Sequence, residues 1–111
     1  MNYDNDNIFA KILKGEIPCD KVFENEHVLS FKDINPKAKT HLLIIPKESF
    51  IDISDFLKNA DSHYQRNFWK SVDEVISNTG LTDKGFQIKT HKGKDGGQEV
   101  FHFHLHLLSN F

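Results

Sequence analysis

The stretch from Val100 to Leu108 reads VFHFHLHLL. In an extended strand, successive side chains point to opposite faces. The alternation therefore puts His102, His104 and His106 on one face and Phe101, Phe103, Leu105 and Leu107 on the other. Such a strand needs an apolar layer behind it and a pocket or solvent in front. Neighbouring histidines would have Cα atoms roughly 6.6–6.8 Å apart. Two adjacent imidazoles can share a metal ion. Three along a straight strand need further ligands from other strands, and His41 is the nearest candidate. A solvated polar face accounts for one histidine better than for three. The third reading is phosphate chemistry. Imidazole is nucleophilic when neutral and binds anions when protonated, and mutual repulsion predicts mixed protonation in a cluster. A neutral nucleophile beside a protonated donor suits phosphoryl or nucleotidyl transfer.

The segment before this strand, KGKDGGQ, contains Gly93, Gly96 and Gly97. Backbone amides exposed by such a turn can cradle an anion, although most glycine-rich turns only reverse the chain. Upstream, Ile8, Phe9, Ile12 and Leu13 predict a short helix over 7–14, capped by Asp6 and ended by Gly15. Strands are expected over 21–25 and 28–33, joined by a Glu26-His27 turn. HLLII over 41–45 reads as a strand buried on both faces and stopped by Pro46. Residues 47–60 suggest a loop with one helical turn around 52–57. Tyr64, Phe68, Val72, Val75 and Ile76 mark one stripe of a long helix over 61–78. A further strand is expected over 86–91. Antiparallel strands with two separated helices give an α+β fold.

The 111 residues support one domain, with residues 1–6 a polar arm. Lys+Arg 14 nearly balances Asp+Glu 16, which argues against nucleic acid or a polybasic membrane segment as partner. The single cysteine, Cys19, offers neither a disulfide nor a Cys-rich zinc site and reads as a structural thiol. The polar start, MNYDNDN, is unlike a secretory signal, and no apolar run approaches membrane-spanning length. The expected location is the cytoplasm. His27 and His63 are placed on the surface, and Trp69 in the core or an interface.

NIFAKILKGEIP, LSFKDINPKAKTHLLIIPK and DGGQEVFHFHLHLL, in that order, resemble the histidine triad superfamily, with HFHLHLL matching its His-φ-His-φ-His-φφ signature. The resemblance covers nearly the whole chain and is strongest to the branch of small histidine triad nucleotide-binding proteins. It implies a five-stranded antiparallel sheet with two helices, two subunits forming a continuous ten-stranded sheet with the long helix in the interface, and no cofactor or metal. The implied ligand is a purine nucleoside monophosphate, and the implied activity is hydrolysis of nucleoside phosphoramidates and acyl-adenylates. By the resemblance, His104 is the nucleophile, His106 bonds the phosphate or leaving group, His102 orients His104 through its carbonyl, and His41 supports the site. Asp33 would hold the ribose. Phe9, Ile12, Phe31 and Ile34 would form the base slot. The amides of Glu99 and Val100 would hold phosphate oxygens, and Gln98 and His91 belong to the same binding set. His91 stands where many relatives have Asn, and Glu99 where some have Ser. Those departures motivate a second reading, a nucleotide-binding module with negligible turnover. Dinucleoside polyphosphate hydrolysis is a third.

Overall fold

The computed structural model describes all 111 residues. Its centre is a five-stranded sheet with spatial order β1-β2-β3-β5-β4, every neighbouring pair antiparallel. The strands are β1 (Lys21–Glu24), β2 (Val28–Lys32), β3 (Thr40–Pro46), β4 (Gln87–Lys89) and β5 (Leu105–Ser109). Three α-helices accompany it: α1 (Ile8–Leu13), α2 (Ile53–Asn59) and α3 (Ser62–Asn78).

The central strand β3 is buried from His41 to Pro46, as its unbroken apolar run requires. Leu42 and Ile44 face the larger core with Val28, Leu105 and Leu107, under α2 and α3. Leu43 and Ile45 face the other side with Leu29, Phe31 and Phe9. Thus α1 covers one face of the sheet and the longer helices the other. Phe103, 1% exposed, stacks on Phe56 at 4.9 Å between ring centroids and ties the segment ahead of β5 into the larger core.

Several local expectations change. The cap of α1 is Asn7 rather than Asp6: the Asn7 side chain accepts from Ala10 N at 2.8 Å, satisfying one of the helix's free donors. The β1–β2 turn lacks glycine because Asn25 does its work. The Asn25 side-chain oxygen accepts from His27 N and Val28 N. The helical turn expected at 52–57 is a complete two-turn helix, α2. Asp52 caps it through Asp55 N, and Phe56 fixes it in the core, so there are three α-helices rather than two. His27 is half-buried, edge-on to Tyr64 at 5.7 Å, rather than on the open surface. Trp69 stands 40% exposed against Phe56 and Phe68.

The largest change concerns the histidine segment. Strand β5 begins at Leu105, not Val100, so His102 and His104 lie ahead of the ladder. Side chains and loops take the hydrogen bonds that a strand partner would otherwise make. Phe103 N donates to Phe50 O at 2.7 Å, Thr90 Oγ1 donates to His104 O at 2.8 Å, and the His102 carbonyl accepts from the ring of His104.

Candidate functional site

A cavity of about 630 Å³ opens between α1, β2, β3, β5 and the 97–100 loop. Its size suits a small-molecule ligand. The structure brings Phe9, Ile12, Phe31, Asp33, Ile34, His41, His91, Glu99, Val100, His104 and His106 together on its wall. Two expected residues are not there. His102 lies behind the wall, fully buried. Gln98 is turned into the protein: its side-chain oxygen accepts from Gly93 N at 2.8 Å, and its nitrogen donates to Ile51 O and Val100 O. It is the clamp of the glycine-rich turn rather than part of the cavity. Gly97 adopts φ +83°, a left-handed conformation that glycine takes without penalty, and this lets the turn close.

His104 is 6% exposed, with the edge of Phe9 against it at 5.0 Å. Its Nδ1 lies 2.6 Å from the carbonyl oxygen of His102. A carbonyl only accepts, so Nδ1 carries the proton, and Nε2 keeps its lone pair. His102 is fixed in the same way. Its Nε2 lies 2.9 Å from Pro46 O and donates, leaving Nδ1 as an acceptor for the Tyr3 hydroxyl at 2.5 Å.

His41 and His106 form a second pair. Lys37 N donates to His41 Nδ1 at 3.0 Å, so the His41 proton sits on Nε2. That Nε2 lies 2.9 Å from His106 Nδ1 and 3.4 Å from Asp33 Oδ2. His106 accepts at Nδ1 and therefore carries its own proton on Nε2, available to a ligand. Rings of His41, His91 and His104 all lie 5.2–5.3 Å from that of His106, which makes it the hub of the cluster.

Burial favours the neutral form of His41, His102, His104 and His106. It pushes His102 and His106 down to about 4, the charge of His104 adding to the effect in both. Burial also lowers His104, against its bond to the His102 carbonyl, and lowers His41, against the pull of Asp33. Desolvation is the larger cause and repulsion between the rings acts in the same direction, so the result for these four is a set of neutral rings with fixed tautomers rather than a mixture of charges. Burial also raises Cys19, which lines the cavity as a thiol.

Asp33 is held by Asn35 N, which donates to Oδ1 at 2.8 Å. Ile34 lines the cavity but is 90% exposed, so it forms a rim rather than a closed wall. Glu99 N and Val100 N donate to no carbonyl of the chain. Ligand atoms of Asp33, His41 and His106 lie within 4.8 Å of one another, close enough to hold a cation. The His41–His106 bond already occupies the facing nitrogens, so an ion there would have to displace the shared proton.

Sequence reasoning missed Tyr3, which sits in a segment read as a polar arm. It also missed the carbonyl of Pro46 and the amide of Lys37. Main-chain partners leave no mark in residue identity. For Tyr3 the signal was one aromatic among acids and amides.

The model of the HIT domain matches residues 14–111. A HIT-like protein of Azospirillum brasilense is 45% identical over 107 residues, covering 96% of this chain and 88% of that protein. The crystal structure of a HIT family hydrolase from Legionella pneumophila superposes with a TM-score of 0.86 at 40% identity, covering 96% of this chain and 94% of that one. A histidine triad nucleotide-binding protein from Candida albicans gives a TM-score of 0.80 at 32% identity, covering 92% and 73%. No helix is long and apolar enough to cross a membrane. With the sheet order, the cavity and the sequence match all in agreement, the chain belongs to the HIT domain family.

Proposed function

We propose that the protein is a nucleotide hydrolase that cleaves purine nucleoside phosphoramidates and acyl-adenylates to the nucleoside monophosphate, through a nucleotidyl group on His104. The observation that carries this reading is the bond from His104 Nδ1 to the His102 carbonyl, which presents a neutral ring with a free Nε2 lone pair at the cavity. In the first half-reaction Nε2 bonds to the α-phosphorus and the bond from phosphorus to the leaving group breaks, at nitrogen in a phosphoramidate and at the carboxylate oxygen, which leaves as the anion, in an acyl-adenylate. The amine departs neutral, with a proton drawn from water. The imidazole becomes a cation, so its Nδ1–H bond to the carbonyl strengthens as the transition state forms. In the second half, water attacks phosphorus, the P–Nε2 bond breaks and the water's proton returns to solvent.

His106 donates its Nε2–H to the phosphate or the leaving group, oriented by His41. Asp33 accepts from the ribose hydroxyls. Phe9, Ile12 and Phe31 take the base, with Ile34 at its rim. The amides of Glu99 and Val100 hold phosphate oxygens, with His91 beside them. Lys37 and Lys89, exposed at the cavity mouth, attract the anionic substrate. No metal takes part in these steps.

The active form is a homodimer joined along β4. All three residues of this edge strand are exposed, Ile88 at its centre to 41%, and Phe86 just ahead of it is 42% exposed. An open apolar edge of this kind favours strand pairing with another copy. The proposed activity is tested by AMP release from an adenosine phosphoramidate. Turnover that disappears in His104→Ala supports it. AMP binding without a covalent adduct would favour a binding module instead.

A further inference from the structure

His102 is fully buried, so both of its ring nitrogens need partners inside the protein. One partner is fixed. Nε2 donates to the carbonyl of Pro46, the last residue of β3. Nδ1 is then a lone pair in an apolar setting, and only a donor can satisfy it. The hydroxyl of Tyr3, 99 residues away in sequence, stands 2.5 Å from it. The Tyr3 ring meets the imidazole edge-on at 5.6 Å, and Phe9 meets it at 6.4 Å.

Tyr3 does not hang free. Asn7 N and Asn7 Nδ2 both donate to Asp4 O, and Asp6 N donates to Asp4 Oδ1, which folds this segment against the start of α1. The same unit carries Phe9, whose edge packs on His104. One end of the chain therefore grips both histidines.

Resting on the reading of His104 as nucleophile, we infer that Tyr3 is a positioning residue: its hydroxyl donates to His102 Nδ1 and locks the residue whose carbonyl orients His104. With Pro46 at one side of the ring and Tyr3 at the other, His102 can neither exchange its tautomer nor turn over. Its carbonyl stays 2.6 Å from His104 Nδ1, and the His104 lone pair stays on Nε2. Removing the hydroxyl leaves a buried acceptor without a donor, and the ring recovers a partner only by turning. That turn strains the main chain and moves the carbonyl, and in-line attack on phosphorus is sensitive to small displacements of the nucleophile.

The test is Tyr3→Phe, which keeps the ring and deletes the donor. Imidazole 15N shifts report the tautomers of His102 and His104 directly. Steady-state hydrolysis of an adenosine phosphoramidate separates kcat from KM. In the wild type, His102 is expected as the Nε2–H form and His104 as the Nδ1–H form. In Tyr3→Phe, the hydrogen-bonded Nδ1 signal of His102 is lost and His104 divides between its two tautomers. kcat falls about tenfold while KM stays within about twofold.

A protonated Nδ1 on wild-type His102 overturns the inference, and that spectrum needs no variant. So does an unchanged kcat in Tyr3→Phe, even if its Tm falls, because that is the mark of a purely structural contact. If the wild type does not hydrolyse the substrate, the hydrolase reading fails and the spectra alone decide. An unshifted His104 tautomer in Tyr3→Phe then overturns the positioning role, and a divided one upholds it.

Discussion

His102 and His104 are two residues apart and carry the same side chain, yet the fold gives them different work. His102 spends its ring on anchoring and offers only its carbonyl. His104 spends one nitrogen on that carbonyl and keeps the other for the cavity. The alternation His-x-His-x-His put all three rings on one face. Nothing in it shows that the first is buried, because burial depends on where β3 ends and on which residues of the N-terminal segment return to cover it. The burial of His102 has a measurable consequence. The folded protein holds it down to about 4, against 6.5 for the ordinary side chain. Between those values the unfolded chain binds more protons than the fold, so stability rises with pH. The contribution is complete above about pH 6.5 and is lost as pH falls toward 4, on the order of 3 kcal/mol. Denaturant unfolding measured from pH 7.5 to 4.5 checks this. His102→Phe is expected to flatten the slope if it folds.

At the scale of elements, hydrophobic periodicity placed α1, the buried β3 and the apolar stripe of α3. It failed where side chains or loops replace ladder bonds. The sequence alternates cleanly from Val100, but the structure pairs the segment only from Leu105, since Pro46 closes β3 and its carbonyl goes to His102. It also failed at Gln98, whose neighbours in sequence line the cavity while its own amide closes the turn. Gln98→Ala removes three hydrogen bonds, two of them to backbone carbonyls. The expected cost is about 1–3 kcal/mol of stability, together with weaker AMP binding as the Glu99–Val100 amides lose their support. Thermal unfolding and calorimetric titration read the two effects separately. Phe103→Ala empties a stacked position against Phe56 and is expected to cost about 3–5 kcal/mol.

At the scale of the whole molecule, one sheet with both faces covered explains why the chain is apolar enough to fold and still offers a deep cavity. The larger core under α2 and α3 carries most of the packing. The smaller cluster under α1 leaves room beside it for a ligand, and His41, His104 and His106 line that room on the same face of the sheet. The open β4 edge remains unmatched in a single chain. Sedimentation at micromolar concentration is expected to give about twice the 12.9 kDa chain mass, and a charged substitution such as Ile88→Glu is expected to reduce it to the monomer.

The central claim is that a nucleotidyl group passes through His104. The most direct measurement is steady-state hydrolysis of a fluorogenic adenosine phosphoramidate, wild type beside His104→Ala. Turnover by the wild type and a loss of several orders of magnitude in the variant are expected. Equal rates in the two proteins, or no hydrolysis by a wild type that binds AMP, would contradict it.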